Sequence, residues 1–311
     1  MAQNPRTRHV ALVGPTASGK SAIAMQVARR RGDVEIVTVD SMQVYRGMDI
    51  GTAKPSAADQ AEVVHHLLDL VDPADEFTVA EWQRAARAAI AEIEARGRVA
   101  LLVGGTGLYL RSVTDDLEIP ARYPEVRAGL EAELATAGPE ALHARLAGLD
   151  PLAASRMEPS NARRVVRALE VNLGSGRRFS DFGPGLEANP PSAIAQVGVA
   201  VEPAQLAERI AARYQRQLAA GFLDEVATLT DAERHPRGLS RTAAQALGYK
   251  ELLAHLAGAT SLDDAVDLAV RRTRQFARRQ RAWFRRDPRI RWCTPDEAAD
   301  VLSDLVAGAA D

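Results

Sequence analysis

The residues with the clearest chemical potential form the segment GPTASGKS, from Gly14 to Ser21. It has two glycines separated by four residues and followed by lysine and serine, a pattern whose backbone N–H groups surround a phosphate. Lys20 would add a positive charge along the phosphates, and Ser21 would supply an oxygen ligand for Mg²⁺. The residues predicted to form this diphosphate site are Gly14, Pro15, Thr16, Ala17, Ser18, Gly19, Lys20 and Ser21.

A carboxylate, Asp40, follows the apolar run Val34–Val39, which has the pattern of a buried strand. Active-site groups of parallel sheets lie where the strands end, at the carboxyl edge. A P-loop ATPase has a further carboxylate at the end of a neighbouring strand, but the run Val99–Val103 ends in two glycines. Asp40 is therefore predicted to serve as a general base for a nucleophile.

Strands that alternate with helices must position these residues. The apolar runs that predict strands are His9–Val13, Val34–Val39, Val99–Val103 and Ala193–Val201. Helical spacing follows several of them, and Thr78 with Glu81 forms a capping-box pattern at the start of one helix. This alternation predicts an α/β fold, a P-loop NTPase-like parallel sheet core with helices on both faces.

The strand pattern disappears between about residues 115 and 192, where PEVRAGLEAELATAG and SNARRVVRALEVNLG have helical spacing. We therefore predict an inserted all-helical subdomain at 115–192, and a catalytic core formed by 1–114 and 193–311. The exit of the insertion, GSGRRFSDFGPGLEANPPS, is rich in Gly, Pro and Ser, which predicts a loop. The tail from Ser261 onward is predicted to be helical.

The 311 residues carry a net charge of only −2, but the charge is unevenly distributed. The segment 271–291 holds ten arginines and one carboxylate, with Phe276, Trp283 and Phe284 between them. Such a pattern favours contact with a nucleic-acid backbone over a merely solvated helix face. The single cysteine, the polar start MAQNPRTRH and the lack of a membrane-length apolar run predict a cytoplasmic protein.

The segment DSMQVYRGMDIGTAKP, from Asp40 to Pro55, decides between interpretations of the P-loop. Together with GPTASGKS, GGTGLY, RALEV and QALGYKE, it resembles the tRNA dimethylallyltransferases, also called tRNA isopentenyltransferases, from about Val10 to Trp292. The resemblance implies transfer of a dimethylallyl group from dimethylallyl diphosphate to N6 of the adenosine 3′-adjacent to the anticodon in tRNA. The P-loop would then hold a prenyl diphosphate rather than ATP. The implied partners are the tRNA anticodon stem-loop and dimethylallyl diphosphate, the implied cofactor is Mg²⁺, and we expect a monomer without membrane attachment.

The resemblance also implies roles for single residues. Asp40 matches the family's catalytic acid, and Thr16 would line the reaction channel. Arg213 matches an arginine that contacts the diphosphate, with Arg209, one helical turn earlier, as the alternative. The residues implied to contact tRNA, of which the first four would hold the extracted adenine, are Asp40, Ser41, Met42, Gln43, Thr106, Arg163, Arg164, Val165, Val166, Arg167, Gln245, Gly248, Tyr249 and Lys250.

Three other functions compete with this one. An isopentenyltransferase acting on free AMP or ATP would share the P-loop and the aspartate, but it has little use for the helical insertion and ten arginines. A P-loop kinase is disfavoured by the missing second carboxylate. An RNA-binding protein without catalysis is disfavoured by the intact Lys20, Ser21 and Asp40.

The pair His65-His66 is interpreted as polar surface or core-capping residues rather than metal ligands, because no third ligand has suitable spacing.

Overall fold

The computed structural model describes residues 9–183 and 185–310. These residues divide into two compact units, one built from the chain up to Asp115 and from Pro191 onward, the other spanning Asp116–Pro190. Within the described ranges, no helix combines the length and the apolar character that crossing a bilayer requires.

The first unit is built on one sheet of six parallel strands in the order β3-β2-β4-β1-β5-β6. The strands are β1 (His9–Val13), β2 (Val34–Val39), β3 (His65–His66), β4 (Val99–Gly104), β5 (Ile194–Val199) and β6 (Ile290–Cys293). The predicted parallel α/β core is confirmed.

Both edge strands, β3 and β6, escaped the sequence prediction. Each pairs with a strand on one side only. With two and four residues, β3 and β6 are also too short to show the alternation of apolar and polar residues that marks a strand. The prediction of a helical tail from Ser261 is wrong at β6. There the helix ends at Phe284, just before the segment Asp287-Pro288, because a residue that precedes proline avoids the helical conformation.

The described residues also form twelve α-helices. They are α1 (Lys20–Arg31), α2 (Ala57–Glu62), α3 (Val79–Ala95), α4 (Gly107–Thr114), α5 (Pro124–Leu149), α6 (Pro151–Ser155), α7 (Ala162–Ser175), α8 (Pro203–Ala219), α9 (Phe222–Leu229), α10 (Tyr249–Leu256), α11 (Leu262–Phe284) and α12 (Pro295–Ala310). The predicted capping box is present, since the Thr78 hydroxyl accepts from the Glu81 N–H and the Glu81 carboxylate accepts from the Thr78 N–H.

Apolar side chains cover both faces of the sheet. One layer contains α1 and α12, with Ile23, Val27 and Leu302 buried against the strands. The opposite layer is larger and includes side chains such as Trp82 and Phe222, from α3 and α9. Strands buried on both faces read as continuous apolar runs, which is why β1, β2 and β4 were visible in the sequence.

The second unit is helical and has its own core. The helices α5 and α7 pack together through residues such as Leu142, Leu146 and Leu169, all fully buried. Within α5, Gly138 takes a φ of 81° and divides the segment into two helices, because Pro139 follows it.

Candidate active site

Three loops meet at the carboxyl edge of the sheet. Strand β1 pairs with β4 so that Val13 lies beside Gly104, and β2 pairs with β4 so that Val39 also lies beside Gly104. The residues that follow these ends are Gly14, Asp40 and Gly105. The parallel register therefore places the P-loop, the predicted base and the GGTGLY segment next to one another.

The P-loop connects β1 to α1 as its sequence predicts. Gly19 takes a φ of 94°, a conformation that favours glycine, and it is the N-cap of α1. Lys20 Nζ donates to the Pro15 carbonyl over 2.6 Å. The first turn of α1 contains no acidic residue, so the partial positive charge of the helix start is not neutralised there.

The ammonium group of Lys20 is easily deprotonated in this setting. Burial lowers the pKa of Lys20 to about 7, whereas the nearby charge of Asp40 raises it and that of Arg213 lowers it. Since a bound anion would favour the charged ammonium, a diphosphate at the P-loop should reverse this shift.

Asp40 is the first residue of the loop that follows β2. Its Oδ1 accepts a hydrogen bond from the Met42 N–H at 2.8 Å, and Oδ2 accepts none from the residues that the structure describes. Burial raises the pKa of Asp40 above its ordinary value, although hydrogen bonds from the backbone and the charges of Arg213 and Lys20 counteract this shift. A carboxylate with a raised pKa takes up a proton more readily, which suits a general base.

Arg213 of α8 reaches the P-loop. Its Nη1 donates to Thr16 Oγ1 over 3.0 Å, and its Nη2 donates to the Gly51 carbonyl over 3.4 Å. Arg209, one turn earlier, makes no hydrogen bond to the P-loop within the described part of the chain. The geometry thus brings Thr16, Lys20, Asp40 and Arg213 together.

The loop after Asp40 is held by residues that the sequence did not single out. Glu225 of α9 accepts hydrogen bonds from the N–H groups of Asp49, Ile50 and Gly51, at 2.9, 2.7 and 3.1 Å. Gln217 of α8 donates to the carbonyls of Ile50 and Gly51. Arg213 also contacts the Gly51 carbonyl. By holding the loop at Gly51, Glu225 and Gln217 therefore help to fix the position of the Arg213 side chain. Their distance of about 170 positions along the chain left no local signal.

Lys54 secures the same loop from within. Its side chain is only 3% exposed, and its Nζ donates to Asp49, Asp69 and the Tyr45 carbonyl, at 2.6, 2.5 and 2.7 Å. The segment GTAKP that contains Lys54 therefore supports the loop structurally.

In the first unit, the residues predicted to contact tRNA lie near Asp40 and in the QALGYK segment. Ser41, Met42 and Gln43 lie half-exposed beside Asp40, and Thr106 lies half-exposed before α4. Gln43 Nε2 donates to the carbonyls of Thr52 and Ala53, so part of its amide is engaged.

The QALGYK segment is partly exposed and partly buried. Gln245 and Lys250 are exposed and joined by a hydrogen bond of 3.0 Å, which leaves them accessible to RNA. The Tyr249 side chain is fully buried, and its hydroxyl donates to Glu225. Gly248 is also buried, against Phe222. Tyr249 thereby supports the loop held by Glu225, whereas the Gly248 N–H donates to Glu251 at the start of α10.

Residues 163–167 of the helical unit also divide by burial. Arg163 and Arg164 are exposed on the first turn of α7. Val165 and Val166 are buried in the core of this unit, and their contact with tRNA stays a prediction. Arg167 donates to the buried Glu170 over 2.8 Å and to the Pro120 carbonyl, so its charge is already compensated.

The arginine-rich segment forms most of α11 and continues to β6. Two of its arginines are paired with acidic residues, Arg272 with Glu251 and Arg289 with Asp115 and Asp287. The exposed arginines are Arg271, Arg274, Arg278, Arg279, Arg285, Arg286 and Arg291.

The histidine pair lies away from this edge, on β3. His66 Nε2 lies 2.6 Å from an oxygen of the buried Glu35, and His65 Nδ1 lies 2.8 Å from the Val63 carbonyl. Burial alone would raise the pKa of Glu35, but hydrogen bonds from Arg96 and His66 bring it below its ordinary value.

Comparison with known proteins relates this geometry to one family. Residues 43–287 match the family model described as IPP transferase, and residues 7–74 match that of isopentenyl transferase. The chain is 49% identical over 305 residues to the tRNA dimethylallyltransferase of Kineococcus radiotolerans, covering 96% of this chain and 94% of the relative. It is also 49% identical to the enzyme of that name from Nocardioides sp., with full coverage of both chains. Among solved structures, the full-length tRNA isopentenylpyrophosphate transferase of Bacillus halodurans is 36% identical, with a TM-score of 0.69 and coverage of 98% and 97%.

Proposed function

This chain belongs to the IPP transferase family of tRNA dimethylallyltransferases, and we propose that it transfers a dimethylallyl group from dimethylallyl diphosphate to N6 of the adenosine 3′-adjacent to the anticodon. One observation carries the proposal for the site. A P-loop with its lysine, an arginine bound to that loop and a partly desolvated carboxylate lie together at one sheet edge. This arrangement suits departure of a diphosphate and loss of a proton from an amine.

The chemistry that these residues must support is an allylic substitution. The bond between C1 of the prenyl group and the diphosphate oxygen breaks, and a bond forms between C1 and the adenine N6. Lys20 and Arg213 stabilise the charge that develops on the leaving diphosphate. Asp40 accepts the proton that N6 loses. Thr16 accepts a hydrogen bond from Arg213 at the P-loop and would line the path between the two substrates.

Ser21 is the residue that would hold Mg²⁺. Its hydroxyl is exposed at the start of α1 and makes no hydrogen bond with any described residue, so the oxygen is available. Mg²⁺ is commonly held by one or two protein oxygens together with substrate phosphates, which fits a single serine beside a P-loop. When bound, the ion would neutralise charge on the diphosphate.

The enzyme would bind its RNA substrate mainly through the phosphates of the RNA backbone. The exposed Arg163 and Arg164 of the helical unit and the exposed arginines of 271–291 supply positive charge for that purpose. An adenine stacked in an anticodon loop must be extracted before its N6 can enter a pocket, and Asp40 to Gln43 would hold the extracted base. We also propose that the enzyme acts in the cytoplasm, where its tRNA substrate is found, and that it acts as a monomer.

A product assay tests the function. The protein is incubated with unmodified tRNA, Mg²⁺ and dimethylallyl diphosphate, and the digested nucleosides are weighed. We expect one adenosine to gain a dimethylallyl group in place of a hydrogen. Modification of AMP or ATP but not of an anticodon stem-loop would identify the free-nucleotide enzyme instead, and phosphate transfer from ATP to an acceptor would identify a kinase.

Binding of tRNA should weaken steeply with salt, because phosphate contacts release counterions. Replacing Arg163 and Arg164 together with alanine should flatten the slope of log affinity against log salt, by about 0.7 to 0.9 for each phosphate that is no longer neutralised. The measurement is a titration of labelled anticodon stem-loop at several salt concentrations. Arg29→Ala serves as the control. Arg29 lies in the last turn of α1, away from the P-loop end of that helix, and is paired with Glu62. Equal slopes for all three proteins would contradict the phosphate contacts.

Binding of diphosphate should be coupled to proton uptake. At pH 8, above the Lys20 pKa of about 7, the ammonium is largely deprotonated, and binding an anion should restore its proton. We expect an uptake of about one proton at pH 8 and much less at pH 6, where Lys20 is already charged. Calorimetry in two buffers of different ionisation enthalpy measures this. Arginine stays charged at both pH values, so in Lys20→Arg the proton uptake should be the same at pH 8 and at pH 6. If the uptake still differs as much as in the unaltered protein, Lys20 is not its source.

A further inference from the structure

Gln280 lies on the buried side of α11 and joins two loops of the active site. Its Oε1 accepts a hydrogen bond from the Thr16 N–H at 2.9 Å, and its Nε2 donates to the Gly105 carbonyl over 2.9 Å. The residue is 8% exposed, so both ends of its amide are used within the protein. A single side chain of the arginine-rich helix therefore bridges the P-loop and the segment GGTGLY.

The glycines of that segment are shaped for this helix. A Cβ atom on Gly105 would overlap with Gln280 Nε2, and one on Gly107 would overlap with Trp283 Nε1. Gln280 and Trp283 are three positions apart and so lie on one face of α11. These two glycines thus allow α11 to approach the loop closely.

Thr16 is fixed from two directions as a result. Gln280 holds its backbone N–H, and Arg213 donates to its hydroxyl. Removing the hydrogen bond that the Thr16 N–H donates to Gln280 would release the P-loop at the residue that Arg213 also contacts. It would also leave the buried Gly105 carbonyl without this donor, which is costly in a desolvated site.

We propose that Gln280 is a positioning residue for the transfer reaction, which orients Thr16 and the GGTGLY segment relative to the bound diphosphate. This inference rests on the proposed function for the identity of the substrates. It assigns the buried face of α11 a role in catalysis, whereas its exposed arginines serve RNA binding.

The test compares two substitutions at Gln280 with a matched control. Q280M keeps the size of the side chain and removes both hydrogen bonds, whereas Q280E keeps the acceptor for Thr16 and removes the donor to Gly105. We expect Q280M to lower kcat/KM for dimethylallyl diphosphate by about tenfold, the scale of removing one or two hydrogen bonds. Q280E should raise KM for dimethylallyl diphosphate by about tenfold, since it adds a negative charge beside the P-loop. Q275M, an exposed position on the same helix, should leave both constants unchanged.

Two further measurements separate positioning from mere stability. Q280M should lower the melting temperature by a few degrees, because two buried backbone groups lose their partner, but its affinity for anticodon stem-loop should stay unchanged. If Q280M does not fold, the kinetic comparison is made with Q280E. Wild-type kcat and KM in the folded fraction of the variants would overturn the proposal. If the unaltered protein modifies no tRNA, the proposed function fails instead. Calorimetric binding of inorganic diphosphate with Mg²⁺, weakened in Q280M or Q280E but not in Q275M, would then still test the role of Gln280 at the P-loop.

Discussion

Replacing Asp40 with asparagine should lower kcat by about a hundredfold or more, the scale expected when a general base is removed. Asparagine keeps an oxygen at the position of Oδ1, which accepts the hydrogen bond from the Met42 N–H, so the loop after β2 should keep its shape. The affinity for tRNA should therefore stay within a few-fold. Single-turnover rates and tRNA binding, measured on the same protein, check both expectations.

The pH profile gives a second readout of the same residue. A base must be ionised to act, so kcat/KM of the unaltered enzyme should fall as the pH drops through the pKa of Asp40, which burial raises above its ordinary value. Asp40→Asn should lose this acidic limb. Asp33→Asn, at the opposite end of the same strand, should behave as the unaltered enzyme does. Turnover near the normal rate in Asp40→Asn would mean that another group, or water, accepts the proton.

The P-loop and the parallel core could be predicted because their signals are local. The pattern from Gly14 to Ser21 fixes a turn between strand and helix, and β1, β2 and β4 are buried on both faces. Since parallel strands align their carboxyl ends, the sequence also predicted that Asp40 would lie beside the P-loop.

The supports of the site could not be predicted, because they depend on contacts between distant positions. Gln280 meets Thr16 across 264 positions, and Glu225 meets the loop at Ile50 across 175. A glutamine among ten arginines and a glutamate in an amphipathic helix have no distinctive neighbours that would mark them. The packing of α9 and α11 against the sheet edge brings them to the loops.

Burial divides the side chains of the segments that the family resemblance implies to contact RNA. A motif shows which residues occur together, but not which of them point outward. In the segment RRVVR the arginines at 163 and 164 are exposed, while the two valines fill the core of the helical unit. In QALGYK, Tyr249 is buried against α9 and Lys250 is exposed. The salt dependence of binding should accordingly follow the exposed cations alone.

The contact between α8 and the P-loop distinguishes two arginines that the sequence left as alternatives. Arg213 donates to Thr16 Oγ1, whereas Arg209 lies one turn earlier on the same helix. Arg213 is also braced through the Gly51 carbonyl by the loop that Glu225 and Gln217 hold. A cation held in this way need not reorganise when charge develops on a leaving group, which is the condition for effective electrostatic stabilisation.

Arg213→Met should therefore lower kcat by about a hundredfold to a thousandfold, the scale for removing one preorganised charge or donor at a transition state. The affinity for anticodon stem-loop should be unchanged, because the Arg213 guanidinium contacts Thr16 of the P-loop and the Gly51 carbonyl. Arg213→Lys should recover only part of the rate, since an ammonium cannot contact Thr16 and Gly51 in the same fork-like geometry. Arg209→Met is the matched control and should keep the normal kcat. If Arg209→Met proves the more damaging of the two, the diphosphate contact belongs to Arg209, and the bond between Arg213 and Thr16 serves only to hold the P-loop.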